Sequence, residues 1–588
     1  MTITVSRLRD LRLTVYSGEA NLFGRVQRTA ERLRDHVEQR MTPELDAGEG
    51  ETAVAAHGRL RVLMDNHHFT RVQCTLVETA LTCLVEELTV ARNELHLALD
   101  DASACGYEVA DDGSVTYPPV VGDADAAGYE GGRVTPVPST QVGINPGAPL
   151  PPNPHIEEAR RIANRVGEAL RAAETADTAY AQALARLETS GGLSVTDAMW
   201  EDTGQDTSAL AGAVGSLHAP EPPNGLSPQE NRAWWDGLTT REKDFCLALH
   251  PAEIGALDGL PAEVRDMGNR AVLEVEQGRL GGLLAEHMAG RPGEDSEEWD
   301  QWNDESERLS GQLRGIEDIQ ARFEQTGVGG LPEAYLLGFS TEGDGRVIIA
   351  NGNPDSADHT AVYVPGTSTD LTEINSDITR ATQLWRESDS LTDGTVSTVM
   401  WYGYDAPDEL TDAAYQDDAR DAAPLLNGFL DGLTAAQGGA ENSHTTVIGH
   451  SYGSTVIGAA TQEAPVAADD IIAVGSPGML VHKADDLGVG EEHVWSLAAS
   501  VWDDPVPLAG ILHGENDFGF DVERGFGGIP LPDFDFDLVP NVPSSEDFGA
   551  TIMVTDSGHH GGYWDKDSES LMNQSRVIVG AYGDVVRE

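Results

Sequence analysis

Lysine is almost missing from this 588-residue chain: Lys243, Lys483 and Lys566 are the only three, and arginine supplies the rest of the 37 basic residues. Set against 99 acids they leave a formal net charge of −62, and such a surface repels phosphate backbones and anionic headgroups, which argues against nucleic acid as a partner. Scarce lysine beside abundant Ala, Gly, Arg and Asp is the mark of GC-rich coding; a salt-adapted acidic surface is the other reading, and neither speaks to chemistry. Cysteine is as sparse. Cys74, Cys83, Cys105 and Cys246 are too few and scattered for a disulfide framework, and no C-x-x-C metal spacing occurs. Cys74 and Cys83 lie on one helical stretch at a spacing that puts them on opposite faces. No run of about 18 apolar residues is present, and the N-terminus lacks the apolar core of a signal peptide. The expectation is a protein without a transmembrane segment, cytoplasmic or exported by a route that uses no ordinary signal peptide.

The length leaves room for roughly three or four domains of about 150 residues. Residues 1–117 read as a helical hairpin-like region. Leu22, Val26, Ala30, Leu33 and Val37 recur at helical spacing, and Val77, Leu81, Leu84, Leu88, Ala91, Leu95 and Ala98 form a heptad stripe expected to pack along a partner helix. Tyr107 to Tyr117 reads as a small hairpin with a type I′ turn at Asp112-Gly113. Residues 118–153, rich in Pro and Gly, read as a linker. Residues 154–330 form a second helical region, with Ala163, Val166, Leu170, Ala173 and Tyr180 on one face and capping boxes at Ser227-Pro-Gln-Glu230 and Thr239-Thr-Arg-Glu242. From 331 to 588 the texture changes. β-rich runs at Tyr335–Phe339, Arg346–Ala350, Ala361–Val364, Thr395–Trp401, Thr445–Ile448, Ile471–Val474 and His493–Ala498 alternate with helical ones, which predicts a mainly parallel sheet with helices on both faces. The fold class is therefore α/β, a domain with a mainly parallel sheet preceded by a mainly α-helical region with long helices.

The stretch that carries chemistry is His444 to Ala460. A β-rich run reaches Gly449-His450-Ser451-Tyr452-Gly453 and passes at once into helix-compatible residues, the strand, sharp turn and helix of a nucleophile elbow. A serine hydroxyl needs a histidine base, and the histidine needs a carboxylate to fix its tautomer. In chain order the acid follows the serine, and Asp504 is the first choice, with Asp503 as fallback. Of the later histidines, His513 lies too close to Asp504 to come from another strand. His559 and His560 sit in a glycine-rich loop after Ala550–Val554, a strand or extended approach; His560 is preferred and His559 is the alternate. A metal reading of this pair with Asp556 or Asp565 lacks a matched ligand cluster, so no metal and no cofactor is expected. Oxyanion donors are expected from the backbone of Tyr452 and from the loop at Pro365-Gly366, through Thr367 or Ser368. The stretch Phe518 to Phe548, with Phe520, Phe526, Phe534 and Phe536, reads either as a lid or as an ordinary surface loop.

Val364-Pro-Gly-Thr, Trp401-Tyr-Gly-Tyr-Asp405-Ala-Pro, Val447-Ile-Gly-His-Ser-Tyr-Gly453, Gly475-Ser-Pro-Gly478, Asp504-Pro-Val and His560-Gly-Gly-Tyr-Trp-Asp-Lys-Asp-Ser-Glu-Ser-Leu571 resemble the actinobacterial α/β-hydrolase family of unknown function, in which a serine-hydrolase domain follows a long helical N-terminal region. Trp234-Trp235, Leu257-Asp-Gly-Leu-Pro261 and Arg265-Asp-Met-Gly-Asn-Arg270 are similar to the helical segment that precedes that domain. The resemblance covers about Leu226 to the C-terminus and implies Ser451, Asp504 and His560 as a triad with esterase- or lipase-like activity. The family usually has serines where Gly561 and Gly562 stand here. The first hundred residues resemble, more weakly, the helical hairpins of WXG-type secretion proteins, although no Trp-x-Gly turn lies between the helices. The leading expectation is a serine hydrolase acting on a small-molecule or lipid acyl ester. The alternative is a helical interaction or secretion-associated protein, self-associating through its helices, with a secondary or inactive hydrolase domain.

Overall fold

The computed structural model describes residues 3–41, 51–121, 128–136, 153–187, 195–214, 220–293, 298–367, 369–407, 416–500, 503–504, 506 and 542–588. They fall into two compact units, one formed by Met1–Val37, Arg59–Val195 and Asp202–Pro220 and one by the remainder, chiefly Glu221–Glu588.

In the first unit α1 (Leu13–His36) precedes the 54-residue α2 (Glu51–Ala104), which belongs to this unit from Arg59 onward. The heptad stripe of α2 is buried from Leu81 through Ala98, with Val77 half-buried. Its partner is intramolecular. From α3 (His155–Arg186) the Tyr180 hydroxyl donates to Glu87 at 2.8 Å and Arg165 pairs with Asp101 at 2.5 Å. The apolar face expected of α1 and the residue after it is buried only in part. Leu22, Val26 and Leu33 are exposed, while Leu13, Ala20, Ala30 and Val37 are buried. Gly24 lies against the Glu78 side chain, so small residues rather than large ones let α1 approach α2.

The hairpin forms as β1 (Glu108–Val109) and β2 (Val115–Tyr117), but its turn is not type I′. That turn needs positive φ at both central residues, and Gly113 (φ 81) has it while Asp112 does not. Gly113 N–H closes on the Ala110 carbonyl and Ala110 N–H on Ser114, the geometry of a type I turn followed by a glycine bulge. Within the stretch read as linker, β3 (Gly132–Val134) adds a third strand antiparallel to β2.

In the second unit both expected capping boxes are present, each serine or threonine accepting from the glutamate N–H while the glutamate carboxylate accepts in return. Two long helices follow, α4 (Ala262–Ala289) and α5 (Trp299–Glu324). α4 is not among the helices expected from the sequence. It covers the edge of the first strand of the large sheet, β4 (Ala334–Ser340). Asn269 donates to the Leu336 carbonyl at 3.0 Å, Arg270 to the Ala334 carbonyl at 2.8 Å, and Asp266 accepts the Leu336 N–H at 2.7 Å. Side chains thus satisfy backbone groups that a free edge would offer to another chain.

The sheet continues with β5 (Arg346–Asn351), β6 (His359–Val364), α6 (Asn375–Leu391), β7 (Val396–Tyr402), α7 (Asp417–Gln437), β8 (His444–His450), α8 (Tyr452–Glu463), β9 (Asp470–Val474), β10 (Val494–Leu497), β11 (Thr551–Ile552) and α9 (Glu569–Ile578). Its eight strands run in the order β11-β10-β9-β8-β6-β7-β5-β4, with β5 antiparallel to both its neighbours and the rest parallel. From β6 the chain steps outward to β7, then back across β6 to β8. Right-handed crossovers therefore place α6 on one face and α7 and α8 on the other. The expected mainly parallel α/β sheet is present, and the carboxyl ends of β6, β8 and β9 lie side by side where the direction reverses.

At the opposite, amino-terminal ends of these strands a buried carboxylate ties three of them together. Asp470 accepts from His444 Nε2 (2.8 Å), the Tyr582 hydroxyl (2.6 Å), Trp495 Nε1 (2.9 Å) and His493 Nδ1 (3.0 Å). His444 Nδ1 faces the Ile578 carbonyl at 2.9 Å, so both ring nitrogens meet acceptors and the ring is held as imidazolium. Burial alone pushes the His444 pKa down, but bonds to Asp470 and Ile578 and the charges of Asp470 and Asp469 raise it overall. Burial likewise favours the neutral form of Asp470, and the four side-chain donors outweigh it and hold the carboxyl low. His359, whose ring lies 5.9 Å from that of His444, is pushed down by burial and by that neighbour. Because the His444 pKa is raised on folding, its contribution is complete below the unfolded value of about 6.5 and is lost as pH rises through the higher folded value. Asp470, held low, contributes above the unfolded value of about 3.9 and loses that as pH falls through its own folded value. Denaturant unfolding at pH values above about 6.5 is expected to show a midpoint that declines in the wild type and is flatter in His444→Ala; parallel pH profiles would refute the pair.

Candidate active site

β8 is buried from Thr445 to His450, and the chain turns at Ser451, one of three described non-glycine residues with positive φ (φ 51, ψ −126). A serine in this conformation costs on the order of 1–3 kcal/mol and persists only where its surroundings over-determine it. Here the Ser451 N–H donates to the Val474 carbonyl (2.9 Å), and the Ser451 carbonyl accepts from Ser454 N–H (3.0 Å) and Oγ (2.6 Å). Missing side chains let the loop after β6 close on the turn. A Cβ on Gly366 would lie 2.7 Å from the Ser451 Cβ, and one on Gly453 would overlap the Val364 carbonyl oxygen. The Tyr404 hydroxyl anchors the same loop by donating to the Pro365 carbonyl at 2.9 Å. Tyr452 opens α8, and its hydroxyl accepts the Ala419 N–H at 3.1 Å, a first-turn donor of α7.

Asp504 is fully buried. Its Oδ1 accepts from His560 Nδ1 at 2.9 Å and from Val506 N–H at 3.0 Å, and its Oδ2 accepts from the Tyr563 hydroxyl at 2.6 Å. Tyr563 oxygen accepts in turn from Ala499 N–H at 2.8 Å. Burial alone would raise this carboxyl, but the donors His560 and Tyr563, with the Val506 amide, bring it below the usual range, so Asp504 is ionised at neutral pH. Gly475, at the end of β9 with φ 55, makes room for the pair: a Cβ there would sit 2.9 Å from Asp504 Oδ2 and 3.0 Å from His560 Cε1.

His450 supports the histidine loop from below. Its Nε2 donates to the His560 carbonyl at 3.0 Å, its ring lies 4.6 Å from that of His560, and the edge of Trp564 meets it at 4.9 Å. Burial pushes its pKa well below the usual range, with His560 and Arg380 adding to the effect, so it is the neutral tautomer with the proton on Nε2. Ser451 and His560 line one pocket of about 230 Å³, together with Thr367, Asp377, Arg380 and His450.

The sequence-derived residues distribute as follows. Ser451, His560 and Thr367 meet at the pocket, Asp504 is bonded to His560, and Tyr452 is the residue after the turn. Ser368 lies outside the described residues, as do Phe520, Phe526, Phe534 and Phe536, whereas Phe548 is buried in the core. Asp503 and His559 do not join. Asp503 is exposed and accepts from Ser500 Oγ at 2.6 Å; His559 is exposed and accepts Gly561 N–H at 3.1 Å. Asp556 instead caps α9, accepting from Glu569 N–H at 3.0 Å and Ser570 Oγ at 2.9 Å. Among the described residues no group of three or more His, Cys, Asp or Glu is arranged to hold a metal ion, and no helix is long and apolar enough to cross a membrane. Three contributors escape sequence reasoning: Tyr563, His450 and Arg380. The signal for Tyr563 is its place one turn past His560, in the short helix Gly562–Trp564.

Residues 341–509 match the family model described as alpha/beta hydrolase. The uncharacterized protein Mb0988c of Mycobacterium bovis is 32% identical over 208 residues, covering 33% of this chain and 74% of that protein. The chain belongs to the alpha/beta hydrolases. The uncharacterized protein Rv2079 of Mycobacterium tuberculosis is 29% identical over 391 residues, 62% of this alpha/beta hydrolase and 57% of the relative's own length. The chain thus spans little more than half of that relative. No solved structure matches it. For this alpha/beta hydrolase, Tyr563→Phe removes a charge-assisted donor from buried Asp504 and leaves Ala499 N–H unpaired. Denaturant unfolding is expected to show a loss of about 1.5–3 kcal/mol, and an unchanged midpoint would show that the hydroxyl does not support the carboxylate.

Proposed function

We propose that the chain is a carboxylic ester hydrolase acting through a Ser451-His560-Asp504 triad. One observation carries the reading: His560 bonds through Nδ1 to a buried, ionised Asp504 at 2.9 Å, while its ring and Ser451 line the same pocket. With Nδ1 donating to the carboxylate, Nε2 is the basic nitrogen. It takes the proton as Ser451 Oγ forms a bond to the acyl carbon. The carbonyl π electrons pass to oxygen, and the resulting oxyanion is met by the N–H of Tyr452 and a donor of the Gly366–Thr367 loop. Collapse breaks the acyl–oxygen bond, and the alcohol leaves with the proton from His560. A water then repeats the sequence on the acyl-enzyme, releasing the acid and restoring Ser451. Asp504 keeps its charge throughout and stabilises the imidazolium. The strained turn presents Oγ at the helix N-terminus, where the dipole favours developing negative charge.

Self-association through the α2 stripe has less support, since α3 already bonds along that helix.

A fluorophosphonate probe is expected to label the wild type and not Ser451→Ala, and p-nitrophenyl esters to be hydrolysed only by the wild type. Asp504→Asn is expected to lower kcat by about 10⁴-fold through the wrong imidazole tautomer. Equal labelling of wild type and Ser451→Ala rules the mechanism out.

A further inference from the structure

We propose that Arg380 makes the Ser451 pocket a subsite for an anionic oxyacid group, so that the substrate is a short polar ester bearing a carboxylate or phosphate rather than a fatty acyl ester. The inference rests on the hydrolase reading for its reaction but not for its binding chemistry.

Arg380 lies on α6, the first helix after the loop that closes on Ser451, and its side chain is 22% exposed. One guanidinium nitrogen, Nη1, is committed: it donates to Asp377 Oδ1 at 2.7 Å and to the Tyr363 hydroxyl oxygen at 3.2 Å. Tyr363 donates its own proton to the same Oδ1 at 2.8 Å. Trp564 lies under the guanidinium, its ring centre 5.1 Å from Cζ. The group is therefore fixed in place before anything binds. Its Nε and Nη2 have no hydrogen-bond partner among the described residues. Nη2 points toward the histidine loop, 3.2 Å from where a Cβ on Gly561 would stand, and the absence of that side chain leaves this edge open. A planar guanidinium with two free N–H groups on one edge matches the two oxygens of a carboxylate or phosphate.

The rest of the lining agrees. Arg380 is the only arginine or lysine among the described residues of the pocket, and Thr367, Thr369 and Ser376 add neutral hydroxyl donors. Among the described residues no aliphatic side chain longer than a methyl-bearing threonine lines it, and about 230 Å³ suits a few heavy atoms beyond the ester rather than an acyl chain. Two acids are also there. Asp377 is buried and bonded to Nη1 and Tyr363, so its charge is matched locally, and Glu373 is exposed at the rim. In a chain of net charge −62, one anchored cation beside the nucleophile is also the feature that draws an anionic substrate past the surrounding field.

The full chain is titrated by calorimetry with butyrate, inorganic phosphate and butyramide, with fluorophosphonate labelling of Ser451 read alongside. Butyrate or phosphate is expected to bind and to slow labelling, butyramide to do neither, and the stronger of the two anions identifies the oxyacid. Arg380→Gln is expected to weaken anion binding roughly ten- to a hundredfold. Arg380→Lys, which keeps the charge beside Asp377, is expected to retain part of it and guards against a glutamine variant that fails to fold. Equal anion affinity in the wild type and both variants, or butyramide binding as well as butyrate, overturns the subsite. A wild type that binds anions but is never labelled at Ser451 sinks the hydrolase reading and leaves the subsite standing.

Discussion

The left-handed backbone at Ser451 is the constraint on which the proposed catalytic unit depends. A turn that an L-residue disfavours survives because β9 accepts its N–H, Ser454 donates twice to its carbonyl, and the loop after β6 presses on it where Gly366 and Gly453 have no side chains. Each support comes from a different segment. The order of the strands is what makes the supports coincide, since β6 and β9 flank β8 on its two sides.

The same economy governs Asp504 and His560. Asp504 is buried with a full charge, a state whose desolvation is offset only by several donors at once. Three of them, His560, Tyr563 and the Val506 amide, are supplied within a few ångströms, and Gly475 keeps the space clear. His450 then fixes the loop from beneath while remaining neutral, which keeps a second positive charge away from His560. The amino-terminal ends of the strands carry a parallel device, in which Asp470 ties β8, β9 and β10 together and holds Tyr582 just past α9, while His444 reaches the Ile578 carbonyl at the end of that helix. One buried carboxylate at each end of the sheet thus fastens strands whose connections are long.

Edge protection explains a motif whose purpose the sequence leaves open. Arg265, Asp266, Asn269 and Arg270 lie within two turns of α4, and three of the four bond to backbone groups of β4. Arg265 instead reaches Asp258 at 2.8 Å and the Gly255 carbonyl, tying the preceding short helices to α4. The helical segment before the sheet is therefore part of the alpha/beta hydrolase fold's closure.

Sequence by itself determined the features that arise within a few residues: the strands of the parallel sheet, the strand-turn-helix at Ser451, the capping boxes at Ser227 and Thr239, and the long heptad helix. Periodicity and turn chemistry act locally, so they can be read without the fold. It misjudged the turn at Asp112-Gly113, where a bulge and a type I′ turn share the same dipeptide, and the larger residues on the face of α1, where close approach through Ala20 and Gly24 outweighs Leu22, Val26 and Leu33. Only the tertiary structure decided that Asp504 rather than Asp503 reaches His560, across 56 residues, and that Tyr563, His450 and Arg380 gather round them. Those meetings are set by strand order and by which backbone can pass close to which, and neither leaves a periodic trace in the chain.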